Sequence, residues 1–266
     1  MYEFNYHKAS TVADAAAKLA AASDAKLLAG GQTLIAALKL RLASPSDVID
    51  LRGVAELRGI RKDGAAISIG AMTTHAEVAS SKDVLQAVPA LANLAASIGD
   101  PMVRNMGTLG GSVANNDPAA DYPAGVLGLG ATIHTNKRKI TADDFFTGMY
   151  GTALQPGEII TSISFPLPKR AAYAKFKNPA SRYAIVGVFV ADTAKGVRVA
   201  VTGAGPCVFR VAAMEKALGA KFAADAVANV HLPAKDLNTD IHASAEYRAH
   251  LVTVMAKRAV EQALGR

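Results

Sequence analysis

The chain has 266 residues, 51% of them apolar, which is ample for a sizeable core and for two or three compact units. Its one cysteine, Cys207, excludes an internal disulfide, and also an iron–sulfur cluster or cysteine zinc site held by this chain alone. The formal charge of +7 is carried by scattered pairs such as Arg61 and Lys62, which points to solvated surface or a face for an acidic protein partner and away from nucleic acid.

No apolar stretch follows a basic start, and no run approaches the ~18 apolar residues of a membrane span, so we expect a cytoplasmic protein without a transmembrane segment. Tyr2, Phe4 and Tyr6 alternate as in a strand, and Ser10 or Thr11 then caps an amphipathic helix carrying Val12, Ala15, Ala16 and Leu19. A short apolar strand follows at "AKLL". It runs through a glycine turn into a helix starting near Thr33, with Ile35, Leu38 and Leu42 at helical spacing. With the strand in "PSDVIDLRGV", residues 1–55 form one strand–helix–strand unit.

Residues 56–166 change character. Strands are expected at "AAISIGA" and "ATIHT", a helix over "DVLQAVPALANLAASIG", and a long glycine-rich loop between them. Pro166 and Pro168 mark a boundary, because proline gives no donor to a ladder and bars a helix from continuing. Beyond it, in 167–266, a hairpin turns around Lys195 and Gly196, and the remainder is mostly helical. Tyr247, Leu251, Val254 and Met255 are expected to be the buried stripe of the last helix.

Two segments share one peculiarity: Gly30 and Gly31 precede a helix, and Gly107, Gly110 and Gly111 sit in a loop of small residues. Glycine lets a backbone approach a phosphate, and free amides at a helix start supply donors and a favourable dipole. The plainer reading is a pair of sharp turns. Neither loop matches the Rossmann G-x-G-x-x-G or the P-loop pattern, which argues against a Rossmann fold and an ATPase. Asp117 and Asp121 would repel phosphate, so in a nucleotide site they would accept hydrogen bonds from ribose or ribityl hydroxyls; their plainer role is capping the turn at Pro118.

"AGGQTLIAALKLRLASPSDVIDL" and "RNMGTLGGSVANNDPAADYPA" resemble the two FAD-binding signatures of the flavin-carrying medium subunit of molybdenum hydroxylases, the xanthine dehydrogenase, aldehyde oxidase and carbon monoxide dehydrogenase family. The resemblance extends through "GEIITSISFP" and "KFKNPASRYAIVGV". It implies an α+β fold: a two-subdomain FAD-binding fold of the vanillyl-alcohol-oxidase-like type, residues 1–55 and 56–166, followed over 167–266 by a C-terminal domain with a small antiparallel sheet and helices.

The resemblance also implies residue roles. Leu28, Ala29, Gly30, Gly31, Gln32, Thr33 and Leu34 match the first pyrophosphate loop, with main-chain amides of Gly30 to Thr33 facing phosphate. Thr108, Leu109, Gly110, Gly111 and Ser112 match the second. Asp121 matches an aspartate at the flavin's polyol region, Ile98 a position near the adenine, Ile160 one near the flavin ring, Lys177 a polar contact of the flavin, and Tyr183 an aromatic beside the isoalloxazine. Thr33 replaces a serine common in the family, which keeps the hydroxyl. FAD is then held without a covalent link. By the same resemblance, molybdopterin belongs to a separate large subunit and two 2Fe-2S clusters to a small one, in a dimer of heterotrimers. The function implied is electron transfer from those clusters to an external acceptor, with no catalytic residue in this chain. A self-sufficient flavin oxidase and a flavin-free assembly module remain the alternative readings.

Other chemistry is weaker. His7, His75, His134, His231, His242 and His250 form no H-x-x-x-H pair, so we expect no metal site. Cys207 reads as a small apolar side chain, and on pattern alone Tyr183 reads as a core aromatic opening a strand.

Overall fold

The computed structural model describes residues 1–265. The first sheet has three parallel strands, β1 (Asn5–Lys8), β2 (Ala25–Leu28) and β3 (Asp47–Asp50), in the order β1-β3-β2. Helix α1 (Val12–Ala21) joins the first two, and Thr11 caps it by accepting the Asp14 amide at 3.0 Å. The expected strand over Tyr2 to Tyr6 begins only at Asn5, because β3 starts opposite it at Asp47 and leaves residues 2–4 nothing to pair with. Helix α2 (Leu34–Lys39) follows the first glycine turn and stops early, at Arg41 with φ +59°. Leu38 is therefore buried, while Leu42 stays 78% exposed.

The second sheet is antiparallel, built from β4 (Ile60–Asp63), β5 (Ala66–Gly70), β6 (Thr132–Thr135), β7 (Lys139–Thr141) and, later in the chain, a strand at Ile160–Pro166. Between β5 and β6 run α3 (His75–Ser80), α4 (Lys82–Ala87), α5 (Pro89–Ala96), α6 (Pro101–Met106), α7 (Leu109–Asn115) and α8 (Tyr122–Leu129). The single helix expected over 83–99 is α4 and α5, broken at Val88, because Pro89 can start a helix but cannot continue one. Every residue of α8 is buried. A helical turn, α9 (Ala142–Phe145), and a small hairpin, β8 (Phe146–Gly148) with β9 (Gly151–Thr152), lead to the Ile160–Pro166 strand, β10, which takes the centre of the sheet order β4-β5-β10-β6-β7.

Beyond Pro166 the chain enters a third sheet, antiparallel, of β11 (Arg170–Lys177), β12 (Ala184–Thr193), β13 (Gly196–Thr202) and β14 (Phe209–Arg210). The β12–β13 hairpin closes at Thr193 opposite Gly196, around Lys195 as expected. One face packs Phe189, Ala191 and Ala200 into the core shared with α5 and α8. The other packs Val186, Val188, Val190, Val199 and Val201 against α10 (Ala212–Ala220) and α11 (Ala245–Ala263). Burial on both faces explains why β12 reads as an unbroken apolar run.

The buried stripe of α11 is Arg248, Leu251, Val252, Met255, Ala256 and Ala259; Leu251 and Met255 lie on it, but Tyr247 is 43% exposed. The stripe is rotated because Arg248 points inward, donating to the Ile185 and Gly203 carbonyls at 2.7 and 2.9 Å and to Asp240 at 2.6 Å. A buried charge with this many partners is one the sequence pattern assigns to the surface.

Candidate functional site

A cavity of about 880 Å³ lies where the three sheets' connecting segments converge, large for a small-molecule site, which usually spans ~300–1,000 Å³. Its first wall is the turn leaving β2. Gly31 has φ +75°, which only glycine adopts without strain, and a Cβ on Gly30 would fall 2.0 Å from the Met106 carbonyl oxygen. The turn thus rests directly on the end of α6. Among the described residues, the amides of Gly30, Gly31, Gln32, Thr33 and Leu34 find no partner within the chain. A row of free N–H groups at a helix start suits an anion.

The second glycine loop is built differently. Leu109 donates to Thr73 at 3.0 Å, Gly110 to Ala71 at 2.8 Å, Gly111 to the Thr108 hydroxyl at 3.1 Å and Ser112 to the Thr108 carbonyl at 3.0 Å. Four of its amides are therefore engaged inside the chain. Gly110 is needed because a Cβ would meet Ala71 at 2.5 Å, and Gly107 because a Cβ would meet His75 Nε2 at 2.5 Å. At Gly111 the nearest atoms would be the Thr108 hydroxyl at 2.8 Å and Ala29 Cβ at 3.4 Å, so this glycine lets the two loops approach each other.

Between the loops and the third sheet lies Asp121. Its carboxylate accepts from the Tyr173 hydroxyl and from Lys175 Nζ at 3.0 Å, and Lys175 also donates to the Ser97 and Arg182 carbonyls at 3.0 and 3.1 Å. Burial pushes Asp121 upward and the Lys175 charge pulls it back. The ammonium also ties together three cavity segments, those of Ile98, Asp121 and Tyr183. On the opposite wall Glu158 is held down to about 2 by Arg138, which donates from Nε at 3.0 Å. Both of these carboxylates are paired with a cation, whereas Asp117, also on the wall, accepts the Ala119 amide at 2.8 Å and forms no ion pair among the described residues.

Ala29, Gly30, Gly31, Gln32, Thr33, Leu34, Ile98, Thr108, Gly110, Gly111, Ser112, Asp121, Ile160 and Tyr183 line this one cavity. Leu28 and Leu109 do not reach its wall; both are buried beneath it. Lys177 does not reach it either: the β11–β12 register shifts between Phe176 and Lys177, which leaves Lys177 at the exposed end of the strand, while Lys175 is buried behind the wall, paired with Asp121. Tyr183 is 49% exposed and not a core aromatic. It ends a loop pinned by Asn178, whose side-chain oxygen accepts the Ala180 and Ser181 amides at 2.9 and 3.0 Å. Burial and nearby Asp117 push its phenol up.

Sequence reasoning missed Arg182 and His75 on the wall, and Lys175 buried behind it against Asp121. Only His75 carries a local signal. Thr74 and Glu77 form a capping box, which announces that a helix starts at His75.

Residues 2–168 match the family described as the FAD binding domain in molybdopterin dehydrogenase, and residues 171–263 match the CO dehydrogenase flavoprotein C-terminal domain. The carbon monoxide dehydrogenase medium chain of Hydrogenophaga pseudoflava is 37% identical, covering 99% of this chain and 98% of that one. The nicotine 6-hydroxylase medium subunit of Paenarthrobacter nicotinovorans is 36% identical over 97% and 96%. Among solved structures, carbon monoxide dehydrogenase from Hydrogenophaga pseudoflava superposes with a TM-score of 0.90 at 36% identity, covering 99% of this chain and 98% of that one.

Proposed function

We propose that this chain, which belongs to the family of FAD-binding domains of molybdopterin dehydrogenases, carries electrons from the 2Fe-2S clusters of a small partner subunit to an external acceptor. The chain is the FAD-carrying medium subunit of an oxidoreductase of the molybdenum hydroxylase class. The partners in this reading are that small subunit and a large molybdopterin subunit, in a cytoplasmic dimer of heterotrimers. No helix among the described residues is long and apolar enough to cross a membrane. The division of labour we assign is 1–55 and 56–166 for the FAD-binding subdomains and 167–266 for the C-terminal domain.

The observation that carries the reading is the row of free amides from Gly30 to Leu34 facing a cavity of about 880 Å³. When bound there, FAD supplies reversible two-electron chemistry that no side chain of this protein offers. The chain's own part is to bind and orient it. The first loop's amides would take phosphate, and Asp121, held in place by Lys175, would fix the polyol. Ile98 and Ile160 would give apolar contacts, and Tyr183 would cover the ring at the mouth of the site. We read the flavin as held without a covalent link.

Anaerobic mixing separates this from a self-sufficient oxidase. The isolated chain should keep its flavin oxidised in the presence of carbon monoxide, aldehydes or N-heterocycles, and the complex with both partners should bleach with one of those classes. Bleaching of the isolated chain would contradict the proposal.

A further inference from the structure

We propose that His75 is a further cofactor-binding residue, donating a hydrogen bond from Nε2 to a phosphate oxygen on the side of the second glycine loop. The inference rests on the reading that this cavity takes FAD. It starts from a shortage: the amides of Leu109, Gly110, Gly111 and Ser112 already donate inside the chain, so the second loop brings far fewer free donors to the cavity than the first. A diphosphate with donors along only one flank would be poorly held on the other.

His75 stands where a donor is missing. It opens α3, its amide donates to the Gly107 carbonyl at 3.0 Å, and its ring lies so close to the loop that a Cβ on Gly107 would be 2.5 Å from Nε2. The residue is 5% exposed and lines the cavity. Its two nitrogens differ. Nδ1 is sealed inside without a partner, beside the ring of Tyr122 at 5.2 Å, whose own hydroxyl is also unpartnered. Nε2 makes no hydrogen bond within the chain and is not sealed, so it is the nitrogen that meets the cavity.

Burial, with the Arg104 charge nearby, holds the imidazole down to about 4, so the ring is neutral at pH 7 and carries one proton. A proton on the sealed Nδ1 would have no acceptor, whereas Nε2 meets the cavity, where solvent or a ligand can accept it. The proton therefore belongs on Nε2. That makes His75 a neutral donor whose position is fixed by the start of α3.

Two substitutions in the full chain test the assignment. His75→Gln sets an amide donor near the place of Nε2, and His75→Leu fills the space without one. With FAD as the probe, and with ADP as a second probe that keeps the diphosphate, His75→Leu should raise Kd about tenfold and His75→Gln by less than about threefold. In the unsubstituted chain labelled with ¹⁵N-histidine, the His75 Nε2 resonance should shift on saturation with FAD. Wild-type affinity in His75→Leu, or an Nε2 signal unmoved by bound FAD, would overturn the assignment even where the leucine variant fails to fold. Failure of the unsubstituted chain to take up FAD at all would instead overturn the reading of the cavity.

Discussion

Lys175 is the residue on which most of the cavity's geometry turns. Its ammonium is 6% exposed and bonds Asp121, the Ser97 carbonyl and the Arg182 carbonyl, so removing it leaves a carboxylate at 5% exposure without its cation. Breaking one partner from a buried pair costs on the order of 3–5 kcal/mol. We predict that Lys175→Met loses about 3 kcal/mol of cofactor-free stability at pH 7, measured by urea denaturation. The sign with pH follows from Asp121. In the variant burial raises its folded pKa with no cation to oppose it, so the unpaired carboxylate is a penalty above the unfolded value and is relieved as acid protonates it. The gap to wild type should therefore narrow between pH 7 and pH 5. A gap that stays constant would mean the lysine acts only through the two carbonyls. Nothing in the sequence separates Lys175 from Lys177, since both sit on the same side of an ideal strand; the irregularity after Phe176 decides between them.

At the level of elements, the two glycine loops look alike in sequence and do different work. Gly31 needs its positive φ, and Gly30 needs to let the turn rest on α6. Gly107 and Gly110 serve helix and strand packing, and Gly111 lets Thr108 and Ala29 approach at the cavity wall. Gly111→Val is then the informative substitution. Its added atoms would crowd the Thr108 hydroxyl and Ala29, closing the space between the loops without striking backbone as a change at Gly30 would. We predict loss of FAD binding by at least about 100-fold, some 2.7 kcal/mol, with far-UV circular dichroism unchanged. Full flavin content in that variant would return the second loop to a turn with no part in the site. The elements themselves were readable where local chemistry sets them, as at the Thr11 cap and the hairpin at Lys195, though the break before Pro89 was passed over. They were misread where tertiary partners decide, as at residues 2–4, which lack a strand to pair with, and at Arg248, which long-range carbonyls turn inward.

Across the whole molecule, the cavity draws its wall from all three stretches of chain: the turn after β2, the loop before α7 and the segment from Ser181 to Tyr183. The third sheet is packed on both faces and holds that last segment against the rest. The sequence marked the two glycine-loop segments of the wall because glycine, threonine and serine cluster where backbone meets a ligand. It could not mark Lys175, whose place depends on segments far apart in the chain, and at His75 it offered only the capping box. A ligand touching all three stretches should bind as one unit with the folded state and add about 2.7 kcal/mol of stability at a hundredfold excess over its Kd. The measurement that tests this most directly is a titration of the purified, flavin-depleted chain with FAD, followed by denaturation and filtration. The account predicts one FAD bound per chain, raised thermal stability, and all of the flavin recovered in the filtrate. A correctly folded chain that stays colourless in FAD, or flavin that remains with the denatured polypeptide, would contradict it.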